Sequence, residues 1–511
     1  LRWRGGFSSD FDSLRRGEGM FIVCLAWVIT GAIGAIPYLF FGLHPIDAYF
    51  ESISGFTTTG ATILKDFGPY PKAFFFWRSL SQWLGGMGII VLFVAVLPQF
   101  AVAGRQMFFA EAPGPTEEKV TPRITQTAKA LWAIYTLLTL AEIVLLRLAG
   151  MPLFDAVCNS FATLAAGGFS PHPQSIMGYR NDTVTWIVTL FMFLAGGNFA
   201  LQYRVLFQRN FRALLHNEEF RFYSFIVVVM SLLLCLTLMH TGAVHLTDGL
   251  RDGFFQIVSI LTSTGFASTD FALWAVPAQT ILFTVMLVGA CAGSAGGGVK
   301  VVRVLFGLKY LKREIAQVVH PKAVLPIKID RVTVPEEVQR QILGFLLFYI
   351  FLMTLSALVV TIIESDAAIG LVGTAATLGN IGPGYGSIGP MASLADLHPL
   401  TKVIFIGNMV VGRLELIPFI AMLHPDFWTF RRAFAGGPGP GACTTATAQP
   451  SSGVADQIMT ATDYSERRQH VRVYFDGLDE LQCRFVRATA AAEPHAAAVH
   501  DLSLGGLHLS L

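Results

Sequence analysis

Four short stretches, each crowded with Gly, Ser and Thr, recur along this sequence: SISGFTTTGAT (52–62), SFATLAAGGFS (160–170), SILTSTGFAS (259–268) and TAATLGNIGPGYG (374–386). In three of them an aspartate stands thirteen residues before a glycine: Asp47 before Gly60, Asp155 before Gly168, Asp252 before Gly265. The fourth has Ile369 at that distance from Gly382, with Asp366 three residues earlier. About thirteen residues make a helix of roughly 20 Å, which can enter a membrane but cannot cross it. The aspartate suits the N-terminus of such a helix, and the carbonyl end then favours a cation. The glycine frees φ, so that successive carbonyls aim at one axis. Four such loops predict a ring of oxygens able to replace a cation's hydration shell. The candidate ligands are backbone carbonyls of Thr58, Thr59 and Gly60; Ala166, Gly167 and Gly168; Ser263, Thr264 and Gly265; Asn380, Ile381 and Gly382. One such cluster reads as readily as an ordinary turn; four at matching places do not.

Loops of this kind need paired helices to hold them. Apolar runs of spanning length lie near 20–42, 73–97, 131–149, 183–206, 222–240, 278–300, 341–363 and 401–423, and each Gly/Ser/Thr stretch falls inside a pair. The predicted fold class is therefore an all-α polytopic membrane protein of four membrane–pore loop–membrane repeats, at about 18–97, 129–207, 221–312 and 339–432. Composition agrees: 53% of the 511 residues are hydrophobic, 14% are charged, and mean hydropathy is +0.57. Soluble proteins carry roughly a quarter charged residues. The net charge of +2 is too near neutral to suggest a nucleic-acid partner. The connections between pairs are rich in Lys and Arg, the one after the sixth span most of all, with Lys300, Arg303, Lys309, Lys312 and Arg313. Positive loops stay inside. The re-entrant loops are thus expected outside and both termini in the cytoplasm.

Two features interrupt the apolar pattern. The sixth span carries GACAGSAGGGVK (289–300), and so many glycines disfavour a helix by up to about 1 kcal/mol each. Irregular backbone at membrane depth implies a cavity beside it, although close packing through small residues reads the same stretch differently. The eighth span carries GRLE (412–415), and an arginine there must face a polar interior or a partner such as Glu415.

These paired spans and loops, with WRSLSQWLGGMGIIVL (77–92), resemble the TrkH/KtrB/HKT superfamily, most nearly its TrkH branch, over about residues 10–432. The resemblance implies a homodimeric potassium-uptake subunit of the bacterial inner membrane, one pore per protomer, with a cytosolic TrkA-like nucleotide-binding partner. Gly60, Gly168, Gly265 and Gly382 match the family's filter glycines; glycine at all four favours potassium over sodium, and potassium at the carbonyls is the only metal implied. Gly293, Ser294, Ala295, Gly296, Gly297 and Gly298 match its intramembrane gating loop. Arg413 matches an arginine beside that loop, where a fixed positive charge limits cation flow. The family usually carries a further helix pair before the first repeat, which is absent from this sequence.

Residues 434–463 read as a flexible Gly/Pro/Ser/Thr-rich linker, and 464–511 as a small soluble β unit. ERRQHVR (466–472) and DLSLGG (501–506) resemble the PilZ domain, a cyclic di-GMP receptor. That resemblance assigns ligand contacts to Arg468, Arg472, Asp501, Ser503 and Gly506, guanidinium groups being suited to phosphate and to a guanine edge. Since the chain stops at Leu511, only part of the barrel is expected. Two alternatives stay open: a membrane-anchored cyclic di-GMP sensor with a non-conducting pore, and a potassium/sodium symporter. The basic connections also suit anionic lipid headgroups. An enzyme is not expected, because no HExxH, Walker A or GxSxG signature occurs, and the six cysteines form no CxxC pair.

Overall fold

The computed structural model describes residues 16–95, 120–242, 244–323 and 325–414, and in the tail 482–484, 496–498, 502–503 and 506–507. The chain divides into two units, Leu1–Ala435 and Gly436–Leu511. Among its described residues the regular elements of the first unit are helices, apart from one short hairpin.

Each repeat opens on a long helix: α1 (Arg16–Phe40), α4 (Val120–Leu148), α9 (Glu218–His240) and α13 (Glu336–Glu364). Among the described residues these four contain the helices long and apolar enough to cross a membrane. Ile22, Leu25, Val28, Ile29, Ile33 and Ile36 of α1 are exposed, and Leu347, Ile350, Phe351, Leu358 and Ile362 of α13 likewise. Faces that apolar need lipid rather than water. The expected polytopic helical architecture is borne out. Between helices, packing replaces the hydrophobic driving force that lipid removes. A methyl group at Gly31 of α1 would stand 2.2 Å from Ile53 Cδ1 of the next helix, so glycine there permits close approach.

The short helices follow. In the first repeat α2 (Pro45–Phe56) starts on Pro45, whose fixed φ suits the first helical position. The second repeat contributes α5 (Leu153–Leu164) and the third α10 (Leu246–Leu261). In the fourth, a π-helical stretch, Ile369–Gly373, leads into α14 (Thr374–Leu378).

The second helices of the repeats differ from the uniform spans the hydropathy implied. In the first repeat α3 (Lys72–Ala95) runs unbroken. The run at 183–206 is two helices, α6 (Asp182–Ala195) and α7 (Phe199–Leu206), bent by 105°. Gly196 and Gly197 weaken the helix there, and Asn198 accepts from the N–H groups of Ala200 and Leu201, starting a new one. The run at 278–300 keeps helix only in α11 (Val276–Met286), and helix resumes as α12 (Val301–Val319). The last is α15 (Pro399–Arg413). These inner helices carry glycines and polar side chains, which a hydropathy window averages away. A short helix α8 (Arg212–His216) precedes α9, and a hairpin, β1 (Lys328–Ile329) with β2 (Val332–Thr333), precedes α13.

The repeats close on one another. α5 packs on α3, α10 on α6, and α15 on α2, which brings the fourth repeat back to the first. Lys402 of α15 donates to Asp47 of α2 at 2.7 Å, and Arg251 of α10 to Asp182 of α6 at 2.8 Å.

In the tail unit β3 (Gln482–Arg484) pairs antiparallel with β4 (Ala496–Ala498), and β5 (Leu502–Ser503) with β6 (Gly506–Leu507).

Candidate functional site: a ring of backbone carbonyls

The four loops meet in a closed ring. A methyl group at Gly60 would stand 2.1 Å from the carbonyl oxygen of Gly167; at Gly168, 2.0 Å from that of Thr264; at Gly265, 2.0 Å from that of Ile381; at Gly382, 2.4 Å from that of Thr59. Each glycine therefore lies against the carbonyl that precedes the next loop's glycine, and the fourth returns to the first. All four take left-handed φ, between +77° and +94°. Two residues earlier, Thr58, Ala166, Ser263 and Asn380 take φ of 52° to 57°. L-residues rarely adopt that region, so the loops repeat one strained backbone, with left-handed residues at alternate positions. Sequence reasoning placed these four residues in the ring but did not foresee their left-handed backbone, since their types have nothing in common. All four glycines line one cavity, with Arg78 and His172 among the other lining residues.

The short helices aim their C-terminal ends at this ring, but their aspartates do not act alike. Asp47 and Asp155 lie in the first turn of α2 and α5, neither as a cap. Asp252 is not at its helix N-terminus as expected, because α10 begins at Leu246, with Asp248 in its first turn. Asp252 is buried instead and accepts from Arg251 and Ser268. In the fourth repeat Asp366 accepts from the N–H groups of Ala368 and Ile369, so the capping acid is displaced and the π-helical turn absorbs the offset.

A buried ion pair braces the first loop. Arg78 Nε donates to Glu51 Oε1 at 2.7 Å, both side chains almost wholly buried. Glu51 also accepts from the Ile63 N–H, while Arg78 lies over the Phe169 ring with its guanidinium 4.0 Å from the centroid. Neither residue was singled out from sequence. A charged pair inside apolar runs was the available signal.

The segment 287–300 has no regular helix and docks on the break between α6 and α7. Cys291 N donates to Gly196 O (3.0 Å), Ala295 N to Ala195 O (3.3 Å), and Phe199 N to Gly293 O (3.1 Å). Gly297 N donates to Ser263 Oγ at 2.6 Å. Methyl groups at Gly296 and Gly297 would stand 2.6 Å from Thr262 O and 2.5 Å from Gly379 O. The segment thus lies directly against the third and fourth loops. Ser294 Oγ donates to Cys291 O, Lys300 Nζ to Gly296 O, and Glu219 Oε1 accepts from Ala292 N, each at 2.6 Å. Buried Arg413 donates from Nη1 to Ala295 O (2.8 Å) and from Nη2 to Gly85 O (3.4 Å). The structure thus brings Gly293, Ser294, Ala295, Gly296, Gly297, Gly298 and Arg413 together beside the ring. Glu415 lies outside the described residues. So do Arg468, Arg472 and Asp501 of the tail, whereas Ser503 and Gly506 face each other across β5 and β6.

Fold and ring together define a class, the helical polytopic membrane transporters. A profile of the family described as "TrkH: Cation transport protein" matches residues 12–426. The Trk system potassium uptake protein TrkH of Salmonella typhimurium is 40% identical over 424 residues, spanning 81% of this chain and 86% of that protein. The Trk system potassium uptake protein TrkI of Halomonas elongata is 31% identical over 420 residues, spanning 81% and 85%. The crystal structure of the potassium transporter TrkH from Vibrio parahaemolyticus superposes with a TM-score of 0.75 at 36% identity, covering 82% of this chain and 87% of that one. This chain belongs to the TrkH family of cation transport proteins.

Proposed function

We propose that this protein takes up potassium across the bacterial inner membrane, through a filter made of the carbonyls around Gly60, Gly168, Gly265 and Gly382. The observation that carries the reading is the cyclic seating of each glycine on the next loop's carbonyl. Such a ring offers a dehydrated cation only oxygens, and with no carboxylate among the described ring residues it suits a weakly hydrated ion. The names of the related proteins support potassium as that ion. The segment 289–300 is the gate: it lies against Thr262 and Gly379, and Arg413 holds it through Ala295. A fixed charge on the residue that holds this segment opposes cation flow until the segment moves.

The finer features are part of the same proposal. The membrane unit is 1–433, the linker 434–463, and the partial PilZ-like unit 464–511. Cyclic di-GMP bound through Arg468, Arg472, Asp501, Ser503 and Gly506 biases the gate. The "Trk system" of the relatives' names supports a TrkA-like cytosolic subunit as a partner, and a homodimer is the working assembly. The distribution of Lys and Arg supports cytoplasmic termini. The test is growth of a potassium-uptake-deficient bacterium at low potassium. The chain should restore growth, and its Gly60→Ser variant should restore it poorly. No rescue by a chain that reaches the membrane would count against potassium uptake.

A further inference from the structure

The ring's second loop lacks something its neighbours have. Three residues and one residue before the glycine, the first loop has Thr57 and Thr59 with hydroxyls 2.8 Å apart, and the third has Thr262 and Thr264 at 2.8 Å. The fourth loop is braced by its own Asn380, whose Nδ2 donates to Met409 O at 2.9 Å and to Thr59 Oγ1 at 3.0 Å. The second loop has Ala165 and Gly167 at those places, and no side chain there can brace it. Gln82, fully buried on α3 of the first repeat, fills the gap. Its Nε2 donates to Gly167 O at 2.6 Å, and its Oε1 accepts from Phe169 N at 3.0 Å. The amide spans Gly168 and fixes the peptides on both sides of it. The donor meets a carbonyl and the acceptor an N–H, so the amide orientation follows from its partners. A methyl group at Gly167 would stand 2.5–2.8 Å from the Gln82 amide atoms, so the glutamine occupies the volume a side chain there would need.

We infer that Gln82 is a positioning residue for cation selectivity: it stands in from a neighbouring repeat for the side chain that the second loop lacks. Gly167 is glycine because of Gln82, and not because of its own backbone, whose φ is outside the left-handed region. Its carbonyl is one of the four in the ring. The hydrogen bond holds that oxygen in place and draws off part of its field, which weakens it most toward the smaller, more strongly hydrated ion. This rests on the filter reading above.

The test compares potassium and sodium flux in proteoliposomes holding the full chain. Gln82→Met keeps the length and removes the amide; the potassium-to-sodium ratio should fall about fivefold, the scale of one neutral hydrogen bond. Gly167→Ser alone should also lower the ratio, since its Cβ meets the amide. Gln82→Ala combined with Gly167→Ser should recover most of what Gly167→Ser lost, because the serine then has room and a hydroxyl. An unchanged ratio in Gln82→Met overturns the inference, as does a double variant no better than Gly167→Ser alone. A wild-type chain that passes both ions equally overturns the filter reading itself, and is thereby told apart from a failure of Gln82 alone.

Discussion

A side chain at any ring glycine meets a neighbour's carbonyl at 2.0–2.4 Å, well inside van der Waals contact, and must also adopt left-handed φ. Alanine at Gly168 or Gly265 is therefore expected to distort two loops at once, lowering the potassium-to-sodium flux ratio at least tenfold, or about 1.4 kcal/mol. Equal ratios in variant and parent would remove the ring from the account. The Glu51–Arg78 pair gives a stability prediction. Breaking it by Glu51→Gln or Arg78→Met should cost about 3–5 kcal/mol, because the remaining charge is buried alone, and the double variant should cost less than either. Thermal unfolding in detergent measures this; a double variant as unstable as the sum would show that the two do not act as a pair. At this scale the glycines were legible because a steric rule singles them out. Thr58, Ala166, Ser263 and Asn380 were placed in the ring by their position, but the strain they share was not legible, because no residue type marks it.

Helices and loops were legible where one force set them. The opening helix of each repeat reads directly from its apolar length. The second helices of the two middle repeats do not, since each is shaped by what it touches: α6 breaks at 196–198, and helix after α11 yields to 287–300, which docks on that break. The Asn198 cap gives a local test. Asn198→Ala should destabilise the bend by about 0.5–2 kcal/mol and shift the docked segment with it, seen as faster hydrogen exchange at Phe199 and Ala295. Unaltered exchange at both would separate the bend from the segment. Arg413→Ala removes the donor to Ala295 and the charge beside the ring; vesicle flux should rise and depend less on any cytosolic regulator. Unchanged flux would leave Arg413 a packing residue. Asp252 and Asp366 show why spacing alone misplaced the caps: helix length varies between repeats, and a π-helical turn shifts the register.

Across the whole molecule, internal repetition was the strongest signal, because four weak loops support one another and each repeat must bury its inner face against the next. Closure of α15 on α2 and the ion pair between Lys402 and Asp47 were not legible, since they join residues more than three hundred positions apart. The tail was read as a β unit from its strand pattern and as PilZ-like from two motifs; its described residues hold two antiparallel strand pairs. The ring on which the account turns has one direct test: cation flux through the purified full chain in liposomes, with potassium and sodium gradients compared side by side. The account predicts potassium flux well above sodium flux, with the preference lost in Gly168→Ala. Equal passage of the two ions, or a preference that survives the substitution, would contradict it.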